Sequence, residues 1–259
     1  MTPNRPSVIS IAGFDPSAGA GILADIKTFE ANRVYGLGVC SAITYQDDQH
    51  FRGVNWLTAE EIMLQVLVLL NRFDVKFVKI GLIESLDSAL TVIRKIKKTV
   101  PEIQIIWDPI LKASAGFEFH SKPGTELLQE LCTELFLITP NIPEAVELGE
   151  SGAAEQNATE LSRYCNVFLK GGHHAKKTGE DFLYHKQGKR ISFGGRTFDV
   201  KPKHGSGCVL SAAITAWLAK GAVLEKACLL AKDYTLRVLE SNDSLLGYHA
   251  MEDIAYTAH

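Results

Sequence analysis

The chain has 259 residues, 46% of them hydrophobic and 22% charged, which is enough to bury a large core in one α/β domain. A formal charge of −3, with no Lys/Arg stripe interleaved with aromatics, argues for small ligands rather than nucleic acid as partners. Five scattered cysteines (Cys40, Cys132, Cys165, Cys208 and Cys228) form no C-x-x-C pair, so they suit a reducing cytoplasm rather than a disulfide or zinc framework, and no apolar run has membrane-spanning length.

In chain order, short apolar runs alternate with longer amphipathic ones. Val8 to Ala12 predicts a strand, and Gly21 to Asn32 a helix. Gly38 to Ile43 is the next strand, followed by a helix from Ala59 to Arg72. Phe77 to Ile80, Ile103 to Trp107, Phe136 to Thr139 and Val167 to Leu169 continue the strands, with helices at Ser88 to Thr99 and Gly124 to Glu134. A shortened helix is expected between Glu144 and Val167. Beyond Lys170 the pattern changes to a hairpin, Asp181 to Phe193, around Lys186-Gln187-Gly188-Lys189. Two helices then follow, at about Gly207 to Lys220 and Ala222 to Ser241. This β-α alternation predicts a mostly parallel sheet with helices on both faces, in one domain without repeat or linker.

Ligands of open α/β sheets gather at the carboxyl ends of strands, so the residues just after each strand are the candidates. The first strand leads into a glycine-rich turn, Gly13 to Gly21, before a helix carrying Asp25 and Lys27. Later strands end at Gly81, at Asp108-Pro109, and at Thr139-Pro140-Asn141-Ile142-Pro143-Glu144. Asp108, Asn141 and Glu144 are oxygen donors suited to a magnesium–phosphate site, although each is also an ordinary turn or helix-cap residue. His204-Gly205-Ser206-Gly207-Cys208 precedes an apolar helix. Successive glycine amides at a helix start make an anion cradle, and a thiol there is expected to have its pKa lowered by the helix amides.

These segments are similar, in order and over nearly the whole chain, to the signatures of the hydroxymethylpyrimidine/phosphomethylpyrimidine kinases of thiamin biosynthesis. The match is carried by Gly13-x-Asp15-Pro16-Ser17-x-Gly19-Ala20-Gly21 with Ala24-Asp25-x-Lys27-Thr28-Phe29, by Thr139-Pro140-Asn141-x-Pro143-Glu144-Ala145, by Leu169-Lys170-Gly171-Gly172-His173, and by His204 to Cys208. The resemblance implies a ribokinase-like three-layer αβα sandwich with a mostly parallel central sheet. It also implies ATP and Mg²⁺ as cofactors and a homodimer. Asp25 and Gln46 would contact the aminopyrimidine, while Gly13, Leu82 and Ile110 would line its faces. Cys208 would deprotonate the substrate hydroxymethyl, with the amides of Gly205, Ser206 and Gly207 around the transferring phosphoryl. Asn141, Lys170 and His204 would serve the nucleotide, and Glu144 and Asp108 the metal.

The chain departs from the family pattern at Phe14, Ala18 and Val209, and around Lys112 and Pro202. A pyridoxal or pyridoxine kinase, and a non-catalytic pyrimidine- or nucleotide-binding protein, remain as alternative readings. His173-His174 as a metal pair and Lys176 to Glu180 as a flap are further candidates; adjacent residues on an extended chain face opposite ways, which favours loop roles for the histidines.

Overall fold

The computed structural model describes residues 5–112, 124–172, 179–186, 188–194 and 202–250. Nine strands form one sheet: β1 (Ser7–Phe14), β2 (Tyr35–Gln46), β3 (Phe51–Trp56), β4 (Val75–Ile80), β5 (Gln104–Trp107), β6 (Leu137–Ile138), β7 (Asn166–Leu169), β8 (Asp181–Tyr184) and β9 (Arg190–Phe193). Their spatial order is β3-β2-β1-β4-β5-β6-β7-β8-β9. The six central strands run parallel, and each edge is finished by antiparallel pairing: β3 on β2 at one side, β8 and β9 at the other.

Helices cover both faces. On one lie α2 (Ala59–Leu70), α3 (Leu86–Thr99), α4 (Thr125–Thr133), α5 (Ile142–Leu148) and α6 (Ala154–Leu161). On the other lie α1 (Gly21–Ala31), α7 (Ser206–Ala219) and α8 (Leu224–Glu240). The period-2 alternation of the strands decides which layer each side chain joins. Ile9, Ile11, Ile105 and Trp107 pack toward α2–α6, whereas Val8 and Ile106 pack toward α1, α7 and α8. This is the expected three-layer αβα sandwich, and the predicted hairpin is β8–β9.

Two features differ from the expectations. β3 is an edge strand with polar residues along its length, and Arg52 and Asn55 stay exposed, so it carries no run of apolar residues. The single shortened helix is instead two, α5 and α6. Asn141 starts α5 with a capping box to Glu144, and Pro143 sits in its first turn, where the lost amide would have been unpaired anyway. His173-His174 and Lys176 to Thr178 lie outside the described residues.

Candidate active site

A cleft of about 490 Å³ opens at the carboxyl ends of the central strands. Its lining includes Gly13, Thr44, Gln46, Leu82 and Ile110, then Asp108, Asn141, Glu144 and Lys170, and the turn His204 to Cys208. A larger hollow of about 670 Å³ lies at the opposite end of the sheet. Its arginines are spent on aromatic faces, Arg5 5.4 Å from the Tyr35 ring and Arg72 5.5 Å from the Phe73 ring.

The turn before α7 is built around Gly205, whose φ is +74°. A Cβ there would overlap the Gly19 carbonyl oxygen and come 2.7 Å from Ala20 Cα. Only glycine lets the start of α7 press against the loop after β1. Gly21 does the same from the other side, with φ +59° and the Gly13 carbonyl oxygen where a Cβ would go. The first intrahelical bond of α7 that closes over the turn is Val209 N–H to Gly205 O, at 3.0 Å. The amides of Gly207 and Cys208 precede it and sit in the cleft wall, an arrangement able to bind an anion.

His204, on the same turn, bonds through Nε2 to Asp15 Oδ2 at 2.8 Å. Asp15 also accepts the amides of Ser17 and Ala20, and although burial works upward on its carboxyl, the His204 bond and these amides hold it below the usual range. His204 Nδ1 is buried without a hydrogen-bond partner in the structure. Neither the His204–Asp15 bond nor its role in closing the loop after β1 on the α7 turn follows from the sequence motifs.

At the centre is a chain of buried charges. Lys170, on the residue after β7, places Nζ 2.8 Å from Asp108 Oδ1 and 3.6 Å from Glu144 Oε2. Asp108 also accepts from Thr139 Oγ1 at 3.1 Å and, on Oδ2, from Ser211 Oγ of α7 at 3.0 Å. Burial alone would raise its carboxyl, but the charges of Lys170 and Lys79 bring it below the ordinary value. Asp108 thus accepts two bonds on Oδ1 and one on Oδ2, and it anchors Lys170 and the first turns of α7. Lys170 Nζ lies 3.3 Å from the position a Cβ on Gly207 would take, and so faces the anion cradle.

Asn141 is the N-cap of α5: its Oδ1 accepts the Glu144 amide at 2.8 Å, and Glu144 Oε2 accepts the Asn141 amide at 2.7 Å. Burial pushes Glu144 up to about 7, with Lys170 opposing and Asp108 reinforcing the rise. Native Glu144 thus binds its proton more tightly than an unfolded glutamate of ordinary value 4.5, so stability falls as pH rises between those values. The loss is up to about 3 kcal/mol. Glu144→Gln is expected to flatten the fall in melting temperature of the ligand-free protein between pH 5 and 8; an unchanged slope would contradict this origin.

Two expectations are corrected. Asp25, proposed to touch a pyrimidine, does not line the cleft. It is fully buried under α1, with Lys79 Nζ 2.7 Å from both oxygens and Ser10 Oγ donating at 2.5 Å. The period of α1 turns Asp25 inward with Gly21 and Ala24, toward the sheet. Cys208 does line the cleft on the first turn of α7, but its thiol is not acidified. Burial pushes it up to about 12, with the Lys79 charge and the Gly21 amide pulling the other way. Desolvation of the thiolate here outweighs the helix amides.

Gln46, at the last position of β2, projects a side-chain amide with no intramolecular hydrogen bond among the described residues. Lys203, at the cleft edge, holds the chain after α8 with its ammonium, through Asn242 O at 2.5 Å and Asn242 Oδ1 at 2.9 Å. The unusual Pro202-Lys203 sequence thus serves a structural tie, and Lys112 pairs with Glu147 at 3.4 Å at the rim. Among the described residues no group of three His, Cys, Asp or Glu side chains is arranged to hold a metal. No helix there is long and apolar enough to cross a membrane.

The family model for phosphomethylpyrimidine kinase matches residues 15–251. The hydroxymethylpyrimidine/phosphomethylpyrimidine kinase of Aquifex aeolicus (strain VF5) is 33% identical over 254 residues, covering 94% of this chain and 98% of that protein. Among solved structures, phosphomethylpyrimidine kinase from Clostridium difficile 630 superposes with a TM-score of 0.73 at 30% identity, covering 90% of this chain and 98% of that one. The ADP complex of Bacillus subtilis pyridoxal kinase superposes at 0.76 with 26% identity, covering 93% and 94%. The family match spans most of the chain, and the chain belongs to the phosphomethylpyrimidine kinase family.

Proposed function

We propose that the protein transfers the γ-phosphoryl group of ATP to the hydroxymethyl oxygen of 4-amino-5-hydroxymethyl-2-methylpyrimidine, and a second phosphoryl to the resulting monophosphate. One observation carries this reading. A single cleft is lined both by a small apolar and amide-bearing set (Gly13, Leu82, Ile110 and Gln46) and by the α7 anion cradle with Cys208. Gln46 offers both a donor and an acceptor, the pair needed to read an amino group beside a ring nitrogen.

In this reading the hydroxymethyl group lies by Cys208 and the transferring phosphoryl by the Gly205, Ser206 and Gly207 amides. The substrate O–H bond breaks as the O–P bond forms, the proton is taken by the thiolate form of Cys208, the minor form of this buried thiol in the ligand-free protein, and ADP departs. Amides and Lys170 stabilise the charge that develops on the phosphoryl oxygens, the dominant contribution in such transfers. His204, held by Asp15, lines the same cleft, and Asn141 fixes the start of α5 beside the nucleotide.

The carboxylates fit a magnesium ion that arrives with the nucleotide rather than a resident one, because Asp108 has one acceptor site left, on Oδ2, and Glu144 keeps one oxygen free of hydrogen bonds. Such an ion would neutralise phosphate charge. Glu144 would hold it with water and phosphate oxygens. We also place the protein in the cytoplasm, where five free cysteines remain reduced, and infer a homodimer from the family resemblance.

A second reading, phosphorylation of pyridoxal, rests on the superposition with the Bacillus subtilis enzyme. ADP release measured with each substrate separates the two: kcat/KM is expected to favour the pyrimidine. Cys208→Ala is expected to lower kcat by about 10²-fold or more with KM for the pyrimidine changed little, the range of a lost general base. An unchanged kcat would remove Cys208 from the reaction.

A further inference from the structure

The segment after α8 has no place in the chemistry above, yet it closes on the cleft. A chain leaving its final helix frays unless something ties it down. Here Lys203 does so. Its ammonium, on a residue only 6% exposed, donates to three acceptors of that segment: Asn242 O at 2.5 Å, Asn242 Oδ1 at 2.9 Å and Ser244 O. An ammonium has three N–H donors, so this set satisfies a buried one completely. Asn242 in turn folds the segment around the lysine. Its Oδ1 accepts the Ser244 amide at 2.8 Å, and its Nδ2 donates to Leu246 O at 3.0 Å.

The folded segment touches both parts of the structure that shape the anion cradle. Leu245 O accepts the His204 amide at 2.9 Å. A Cβ on Gly19 would stand 2.6 Å from Leu246 Cδ2 and 2.6 Å from His204 Cδ2, so both side chains close on the loop after β1. The His204 ring is itself bonded to Asp15 of that loop, and Gly205 follows with φ +74°. Further on, His249 Nδ1 lies 3.0 Å from Tyr234 Oη of α8 and 3.4 Å from Thr28 Oγ1 of α1.

Resting on the reading of the α7 turn as the phosphoryl cradle, we propose that Lys203 is a positioning residue for the transfer. Through Asn242 and Ser244 it seats residues 242–246 against His204 and Gly19, and so fixes the turn that leads into the Gly207 and Cys208 amides. Gln46, Leu82 and Ile110, on the pyrimidine side, belong to β2 and to the segments after β4 and β5, so loosening the turn leaves them in place.

Two readouts separate this role from a plain structural tie. In the ligand-free protein, hydrogen–deuterium exchange of the peptide carrying His204 to Val209 is expected to quicken about tenfold in Lys203→Met, while the β4 peptide keeps its wild-type rate. Exchange needs no turnover, so it decides this inference even if the proposed function fails. In turnover, kcat is expected to fall about 10–100-fold, with KM for the pyrimidine and for ATP changed less than about twofold, the loss that a misplacement of up to about 1 Å produces. Asn242→Ala removes one acceptor from the other side, leaves Lys203 two backbone carbonyls, and is expected to act in the same direction. Because both changes break one tie, the double variant is expected to be little worse than Lys203→Met alone. Should Lys203→Met fail to fold, Asn242→Ala carries the same two readouts. Wild-type exchange at His204 to Val209 in the folded variants would overturn the proposal, as would an unchanged kcat. A tenfold rise in KM for ATP with exchange unchanged would make Lys203 a direct nucleotide contact instead, and would overturn it too.

Discussion

Lys170→Met is expected to abolish most activity and to destabilise the protein at the same time. The ammonium is the direct partner of Asp108, which is 1% exposed, and lies 3.6 Å from Glu144. Its removal leaves two buried acids facing each other across the floor of the cleft. Breaking a buried pair from one side costs about 3–5 kcal/mol, and loss of the cation beside the anion cradle is expected to reduce kcat/KM by roughly 10²–10³-fold. The two effects are separable. Adding Asp108→Asn to Lys170→Met removes the orphaned charge, so melting temperature is expected to recover substantially while kcat/KM stays low. Recovery of both would make Lys170 purely structural. Arginine is a poor substitute, because its planar fork cannot reproduce the point charge that Lys170 places between Asp108 and Glu144.

Gly205→Ala is the second large effect. Holding an L-residue at φ +74° costs about 1–2 kcal/mol, and the added Cβ overlaps the backbone of Gly19, which cannot rotate away as a side chain could. Relief requires the α7 turn and the loop after β1 to separate. That displaces the Gly207 and Cys208 amides from the cleft wall, and misplacement by about 1 Å is enough to cost roughly 10²-fold in rate. A fall in melting temperature of about 5–10 °C should accompany it. Gly152→Ala, where a Cβ meets nothing within 4 Å, is the matched control and is expected to change stability by less than about 0.5 kcal/mol. Equal melting temperatures for the two variants would contradict the packing account of the turn.

The parallel core was legible because its strands are short apolar runs and its helices carry a 3.6-residue period, as in α3, where Leu86, Ala89, Leu90, Ile93 and Ile96 share the buried face. β3 was not legible, since an edge strand with one neighbour needs no apolar run, and Gly53 and Arg52 obscure its alternation. Strand-end logic pointed to the turns that edge the cleft and the family resemblance added residues such as Gln46, Leu82 and Ile110; thirteen of these fourteen candidates line the cleft, and Asp25 is the exception. A carboxylate four residues into α1 reads as a ligand when its helix face is unknown; the buried partner that claims it, Lys79, is 54 residues away. Lys79 carried a usable signal, a lysine inside the apolar stretch Phe77-Val78-Lys79-Ile80, where a charge demands a partner. The Cys208 thiol was misjudged for the same reason: helix amides are visible in a sequence motif, whereas the degree of burial that opposes them comes from α1 and β4.

The most direct test of the central claim is to incubate the purified protein with ATP, Mg²⁺ and 4-amino-5-hydroxymethyl-2-methylpyrimidine, with pyridoxal present as competitor, and to identify the products by mass. The cleft geometry and family membership predict the pyrimidine monophosphate first and its diphosphate later, with little pyridoxal phosphate. Pyridoxal phosphate as the sole product, or binding of the pyrimidine with no ATP consumed, would contradict the account.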